Sequence, residues 1–152
     1  MADTMMIRTA REEDIPRVME MAHCFFPVLE ARHGRTQNPE VVLNLTRRLI
    51  SGHTADASVL LVAENGTGIV GMIGALVYVD PLTGERGAGQ VVWWVTPTSR
   101  SRRLGLTLLR RAEAWAKEQG AVSMQLASWS GPRDCYRKLG YKQTEIAYVK
   151  AL

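Results

Sequence analysis

The chain has 152 residues, of which 46% are hydrophobic and 22% are charged, and its formal net charge at pH 7 is +4. This length suits one domain, and we expect a single domain over residues 1–152. The composition excludes disordered and fibrous proteins, and no apolar run reaches the roughly 18–20 residues that cross a bilayer. The first residues lack the basic and apolar regions of a secretory signal, and two cysteines are too few for a disulfide framework. We therefore expect a cytoplasmic protein that does not span a membrane.

The first half of the sequence predicts a short strand, two helices and a hairpin. Residues 25–38 hold proline and glycine without a clean period, so we expect a loop there that exposes Phe25 and Phe26. After Gly52 the helical period gives way to the alternation of two strands. The elements are expected at residues 4–10 (strand), about 14–24 (helix), 38–52 (helix), 58–64 (strand) and 69–79 (strand).

The second half predicts a β-α-β unit, a short helix and a last strand. Gly71 and Gly74 interrupt the second hairpin strand, which indicates a bulge or a close approach of another backbone. The elements are expected at residues 89–96 (strand), 100–119 (helix), 121–128 (strand), 132–139 (helix) and 141–149 (strand). This order predicts an α/β protein with a mixed sheet of about six strands, flanked by about four helices.

The positive charge is concentrated at one place. Five arginines fall within residues 100–111, which contain no acidic residue, and without them the remaining chain has a net charge of −1. Nucleic-acid binders usually spread their basic residues along a stripe or an arm. A compact anion is therefore the partner we favour for these arginines (Arg100, Arg102, Arg103, Arg110 and Arg111).

The basic cluster begins where a strand runs into the best amphipathic helix. The first turn of a helix has backbone N–H groups without intrahelical partners, and the helix dipole adds partial positive charge there. Such an end binds phosphate, and Gly105 leaves the backbone open to a close approach. The arginines can add charge-assisted hydrogen bonds. A capped helix with a solvated basic start is the alternative interpretation of the same residues.

Three motifs, in order along the chain, resemble those of the GCN5-related N-acetyltransferase (GNAT) superfamily. Arg100-Ser-Arg-Arg-Leu-Gly105 is similar to the acetyl-coenzyme A signature, Gln/Arg-x-x-Gly-x-Gly/Ala. Residues 134–141 are similar to a later aromatic-rich short helix that ends in Leu-Gly-Phe/Tyr, and residues 7–15 to the opening strand and helix. The resemblance covers nearly the whole chain. It implies the GNAT fold in a short, single-domain member of bacterial or phage type.

The resemblance also implies an enzyme that moves an acetyl group from acetyl-CoA, its co-substrate, to a primary amine by direct attack in a ternary complex. Tyr136 is then the general acid for the leaving thiolate, since a phenol with a pKa near 10 keeps its proton at neutral pH. A packing role as a half-buried aromatic is the alternative for Tyr136. The implied coenzyme-binding residues are Trp94, Val95, Thr96, Arg100, Ser101, Arg102, Arg103, Leu104, Gly105, Thr107, Trp129 and Tyr136.

The chain departs from the family's pattern at three places. Arg103 stands where the signature has its first glycine, and Trp129 stands where many members carry an asparagine. The predicted strands also leave no room for the usual seventh strand. An unpaired sheet edge invites pairing, so a homodimer is a candidate assembly.

The base that deprotonates the amine is left open by the sequence. An ammonium with a pKa near 10 must lose a proton before it attacks a thioester. Glu64 is our candidate for that base, and Glu85, Glu30 and Asp80 are the other possible carboxylates. A water relay, or an acceptor that arrives deprotonated, is the alternative. The candidate acceptor-binding residues are Phe25, Phe26, Glu30 and Trp93. The histidines show no metal-ligand spacing, so we expect no metal.

Two other functions are compatible with the same residues. The first is a catalytically weak acyl-CoA-binding or interaction module, which the missing base suggests. The second is a nucleic-acid-associated protein that uses the basic segment of residues 100–111, although nucleic acid is the less favoured partner. The acceptor itself, a small molecule or a peptide amine, is not identified by the sequence.

Overall fold

Five strands and four α-helices form the part of the chain described by the structure, a computed structural model that covers residues 4–52, 57–128 and 133–152. The strands lie in the order β1-β2-β3-β4-β5. The first four pair antiparallel with one another, and β5 pairs parallel with β4. This mixed sheet confirms the predicted fold class. The strands are β1 (Met6–Thr9), β2 (Ala57–Asn65), β3 (Gly68–Val79), β4 (Arg86–Val95) and β5 (Met124–Gln125). The helices are α1 (Ile15–His33), α2 (Pro39–Ser51), α3 (Arg102–Glu118) and α4 (Asp134–Lys138).

The sheet separates two layers of core, because successive side chains of a strand point to opposite faces. Leu61 and Ala63 of β2 pack with α3 on one face, where Leu108 and Leu109 are fully buried. Leu60 and Val62 point to the other face and pack with apolar residues of α1 and α2, among them Val18, Met21 and Leu49. The two faces of the sheet are therefore distinct environments, and a residue of β4 belongs to one or the other.

Helix α1 is nine residues longer than the sequence pattern indicated. The predicted loop at residues 25–38 is wrong for residues 25–33, which continue the helix through Pro27. An interior proline removes one backbone hydrogen bond. Phe25 and Phe26, expected to be exposed, are each only 9% exposed, and their burial offsets that loss. The burial of the apolar stripe of α1 thus outweighs the helix-breaking tendency of Pro27.

Helix α2 begins as its sequence predicted. Asn38 caps it, and its Oδ1 accepts hydrogen bonds from the backbone N–H groups of Glu40 and Val41 at 3.0 and 3.3 Å. Pro39 occupies the first helical position, and Gly52 closes the helix in the left-handed conformation at φ 75°. The cap and the stop signal are local, which explains why the sequence places both ends.

The end of the chain is less regular than predicted. The strand expected at 121–128 is reduced to the two residues of β5, and residues 141–149 form no strand. The apolar side chains of this segment are exposed, namely Ile146, Tyr148 and Val149. Within the described chain, they therefore have no apolar layer to pack against. Among the described residues, no helix is long and apolar enough to cross a membrane.

The glycines inside β3 are confirmed as places of close approach. A Cβ on Gly71 would lie 3.3 Å from the Trp94 carbonyl oxygen and from Leu108, and one on Gly74 would lie 3.0 Å from Val92. The register between β3 and β4 shifts by one residue next to Gly74, which makes a β-bulge in β4. Gly74 therefore keeps β4 close to its neighbour at the point where β4 changes direction.

An ion cluster ties the start of the chain to β2. Arg8 donates to both carboxylate oxygens of Asp14, at 2.7 and 3.0 Å, and to Glu64 at 2.9 Å. Asp14 is buried and also accepts the backbone N–H of Arg11 at 2.7 Å. The hydrogen bonds from Arg8 hold the pKa of Asp14 below its ordinary value of 3.8, although burial opposes this shift.

We expect Gly74→Ala to destabilise the fold by about 1–3 kcal/mol, because the added methyl overpacks the site between β3 and β4. Gly89→Ala is the matched control on β4, since a Cβ there would lie 3.8 Å from Tyr78, an ordinary contact. The free energy of unfolding in urea measures both variants. Equal stability of the two would show that Val92 and Leu49 move aside freely.

We expect Asp14→Asn to lower the free energy of unfolding at pH 7 by about 2 kcal/mol, because Arg8 loses a charge-assisted hydrogen bond. A carboxyl whose pKa is lowered by folding stabilises the fold above its unfolded value, and loses this contribution as pH falls through the folded value. The difference from the native chain should therefore shrink below about pH 4. Glu13→Gln, in an exposed pair with Arg11, should change stability by less than about 0.5 kcal/mol. A deficit that did not shrink at all as the pH falls below about 4 would refute this assignment.

Candidate active site

Strands β4 and β5 part after a short contact. Their parallel pairing joins Ala88 with Met124 and Gly89 with Gln125, and the Gln90 side chain then accepts the backbone N–H of Ala127 at 3.2 Å. Beyond this point, no strand in the described part of the chain pairs with the outer edge of β4. The half of β4 that follows the bulge is thus open along one side.

The open edge presents the backbone of Val95. The N–H of Thr96 donates to Val70 on β3 at 2.8 Å, and neighbouring residues of a strand direct their backbone groups to opposite edges. The Val95 N–H and C=O therefore face the gap. The carbonyl accepts a hydrogen bond from Arg100 Nε at 3.1 Å, which fixes the loop before α3 against the end of β4.

The first turn of α3 lies directly after this loop. Ser101 caps the helix, and its Oγ accepts the backbone N–H of Leu104 at 3.0 Å. Its carbonyl oxygen accepts the N–H of Gly105 at 3.3 Å, so the N–H groups of Arg102 and Arg103 are the ones that a helix start leaves without intrahelical partners. The Arg103 side chain is exposed beside them. This end of the helix can bind an anion.

The other residues predicted for this loop serve the fold as well. Leu104 is buried in the core beneath α3, and the Thr107 hydroxyl donates to the Arg103 carbonyl at 2.8 Å. Gly105 lies over Trp93, and a Cβ there would be 3.7 Å from that ring, an ordinary contact. Packing within the chain therefore does not require glycine at this position.

Tyr136 stacks on Trp93 on the α3 side of the sheet. The ring centroids lie 6.2 Å apart at an interplanar angle of 20°, and the Tyr141 ring is 6.3 Å from Tyr136 on a tilted plane. Tyr136 is half-buried, and this burial raises its pKa above 10. Among the described residues, no group hydrogen bonds to the Tyr136 hydroxyl. The phenol is therefore protonated at neutral pH and has its proton available.

Trp94 points to the opposite face, toward α1. Its ring lies 5.8 Å from that of Phe25, and the Arg100 guanidinium carbon lies 4.7 Å from the centre of the ring. The indole N–H is buried and has no hydrogen-bond partner among the residues that the structure describes. Trp93 and Trp94 are neighbours on β4 and therefore point to opposite faces of the sheet. The structure places Trp93, expected near the acceptor, with Tyr136, and Trp94, expected near the coenzyme, with Phe25.

Glu64 and Glu30, two carboxylates predicted for the site, form their hydrogen bonds with other parts of the chain. Glu64 is bound by Arg8 at the end of β2, in the ion cluster described above. Glu30 accepts the backbone N–H of Gln37 at 3.1 Å, next to the C-terminal end of α1. Phe26 is buried on α1 beside the exposed His23. Trp129 and the Arg102 side chain lie outside the described residues.

Sequence reasoning missed two parts of this region. Arg8 pairs with Asp14 and Glu64, and Tyr141 donates to Glu113 of α3. A half-buried phenol needs a hydrogen-bond partner, but the sequence does not say which helix supplies it. In the described part of the chain, no group of three metal-ligating side chains comes together.

Comparisons with known proteins agree with this architecture. The model of the acetyltransferase (GNAT) family matches residues 15–141. The structure of the aminoglycoside N-acetyltransferase AAC(6')-Iy in complex with CoA is similar with a TM-score of 0.78 and 16% identity, covering 100% of this chain and 97% of that one. A putative acetyl transferase from Pyrococcus furiosus has a TM-score of 0.71 and 21% identity, covering 98% and 100% of the two chains.

A transcriptional regulator from Bacillus halodurans is similar with a TM-score of 0.72 and 24% identity, again covering 98% of this chain and 100% of that one. At identities this low, the likeness to these solved structures shows the fold alone. The search of curated proteins found no match.

Proposed function

The chain belongs to the acetyltransferase (GNAT) family, and we propose that it transfers an acetyl group from acetyl-CoA to a primary amine. The observation that carries the proposal is the parting of β4 from β5, next to the open first turn of α3 and to Tyr136. An open strand edge, a helix start that could bind an anion and a protonated phenol lie close together here. These are the groups needed to hold a coenzyme thioester and to protonate its sulfur.

The residues of the α3 start fit the diphosphate of coenzyme A. The N–H groups of Arg102 and Arg103 would donate to it, with the helix dipole and the Arg103 guanidinium adding positive charge. Gly105 has no side chain, although packing within the chain does not require a glycine there. The open backbone at this position would let the ligand approach the helix. The coenzyme supplies an activated acetyl thioester when it is bound.

The gap beside β4 would receive the thioester. There the Val95 N–H would donate to the carbonyl oxygen, on which negative charge develops during attack. The amine nitrogen forms a bond to the carbonyl carbon, the carbon–sulfur bond breaks, and the Tyr136 hydroxyl gives its proton to the leaving sulfur. Holding the amine and the thioester together lowers the entropic cost of the attack.

The amine would lose its proton to water. Glu64, our sequence-based candidate for the base, is bound to the permanently charged Arg8, and Glu30 caps a backbone N–H. Trp93 and Trp94 carry no titratable group in the working range. We therefore favour a water relay, or an acceptor that arrives deprotonated, over either carboxylate.

The acceptor would approach from the α1 side of the sheet, where Trp94 and Phe25 form an aromatic wall. The opposite side is occupied by Trp93, Tyr136 and α3. Assigning the two ligands to two faces allows both to be present at once, as direct transfer requires.

We expect Tyr136→Phe to lower kcat about 100-fold and to leave the KM for acetyl-CoA unchanged, because the ring still stacks on Trp93 while the acid is lost. Because burial raises the pKa of Tyr136, the native enzyme should lose activity through this group only above pH 10, and the variant should lack that decline. Thiol release from acetyl-CoA with a panel of primary amines and peptides measures both. Tyr148→Phe, at a fully exposed tyrosine, should retain native turnover. Native kcat in Tyr136→Phe would show that Tyr136 only packs.

We expect Arg103→Ala to weaken coenzyme A binding about tenfold, because one charge-assisted contact to the diphosphate is lost. Binding of pantetheine, which lacks the diphosphate, should not change. Isothermal calorimetry with both ligands separates the two effects. Arg111→Ala, at an exposed arginine two turns along α3, is the matched control. Equal loss for coenzyme A and pantetheine would place the diphosphate elsewhere.

A further inference from the structure

Helix α4 carries Tyr136 but has little to hold it in place. It has five residues, all in the described part of the chain, and none of them is buried. A single helical turn is not stable by itself, because helix nucleation costs more than one hydrogen bond returns. The position of the Tyr136 hydroxyl must therefore be fixed by contacts made from outside the helix.

Two aromatic rings bracket Tyr136. Trp93 stacks on it from the sheet, and Tyr141 meets it at an angle of 57° from the segment that follows α4. The Tyr141 N–H also donates to the Tyr136 carbonyl oxygen at 3.0 Å, so the two residues are coupled through their backbones as well as their rings. Fixing Tyr141 thus fixes Tyr136.

Tyr141 is in turn fixed to α3. Its hydroxyl donates to Glu113 Oε1, 28 residues earlier in the chain, and both residues are partly buried. Helix α3 is anchored in the core, since its Leu108, Leu109 and Ala112 are fully buried. Burial and the Glu113 carboxylate raise the pKa of Tyr141, so its hydroxyl stays a donor in neutral solution.

We propose that Tyr141 and Glu113 are positioning residues, which tie α4 to α3 and hold the Tyr136 hydroxyl against Trp93 where the leaving sulfur is protonated. The inference rests on the proposed acetyltransferase function. The ring of Tyr141 packs against Tyr136, and its hydroxyl donates the hydrogen bond to Glu113 that joins this segment to α3.

The test removes the tie without removing the ring. Tyr141→Phe and Glu113→Ala should each lower kcat about 10- to 100-fold, because a small displacement of the acid from the sulfur slows proton transfer steeply. The KM for acetyl-CoA should stay within twofold of the native value. Glu113→Gln should retain most of the native kcat, since its amide oxygen still accepts the Tyr141 proton. Glu118→Ala, at an exposed carboxylate of the same helix, is the control and should change nothing.

A second set of variants asks whether the effect passes through Tyr136. In a Tyr136→Phe background, adding Tyr141→Phe should cause no further loss of kcat. A further tenfold loss there would overturn the proposal, because Tyr141 would then act by another route. Native kcat in Tyr141→Phe alone would also overturn it while leaving the proposed function intact.

Two controls keep the outcomes separable. Coenzyme A binding by calorimetry and the melting temperature show whether each variant is folded with its coenzyme site formed. A protein that binds no coenzyme A at all fails the proposed function itself. A protein that binds coenzyme A, with a slowed Tyr141→Phe variant and a Tyr136→Phe variant at least as slow, supports both proposals.

Discussion

The incomplete pairing of β4 is the constraint on which the rest of the site depends. Strand β3 accompanies β4 over its whole length, whereas β5 pairs with it at two residues. The bulge beside Gly74 follows almost at once, and bulges increase the local twist of a strand. The last residues of β4 are thereby left with an open edge. A short loop then connects β4 to α3, and Arg100 donates a hydrogen bond to the Val95 carbonyl oxygen, which fixes that loop.

Much of this framework could be predicted because residues close together in the sequence determine it. The cap at Asn38, the hairpin between β2 and β3, and the amphipathic stripe of α3 each lie within a few residues of sequence. Helix α1 could not be bounded in this way. Pro27 signals a break, and only the burial of Phe25 and Phe26 against the rest of the fold shows that the helix continues.

The site divides in the same manner. The proposed anion site at the start of α3 could be predicted from a strand, a cap and arginines that are adjacent in sequence. The faces of Trp93 and Trp94 do not follow, since alternation says that they differ but not which one meets α3. The bulge beside Gly74 also shifts the register of β4, so the alternation before the bulge does not predict which faces the residues after it occupy. The pair of Tyr141 and Glu113 lies beyond any local pattern, because its partners are 28 residues apart.

The aromatic character of β4 has a consequence for the protons of the reaction. Strand β4 carries Trp93 and Trp94, and neither side chain accepts or releases a proton at neutral pH. Burial raises the pKa of Tyr136, which stacks on Trp93, so Tyr136 keeps its proton at neutral pH and is poorly suited to serve as a base. In the proposed reaction, proton donation and proton acceptance are therefore separate: the protein would supply the acid, and the solvent or the acceptor would supply the base. An acceptor amine whose pKa lies near or below the ambient pH fits this division best, because it arrives with its lone pair free.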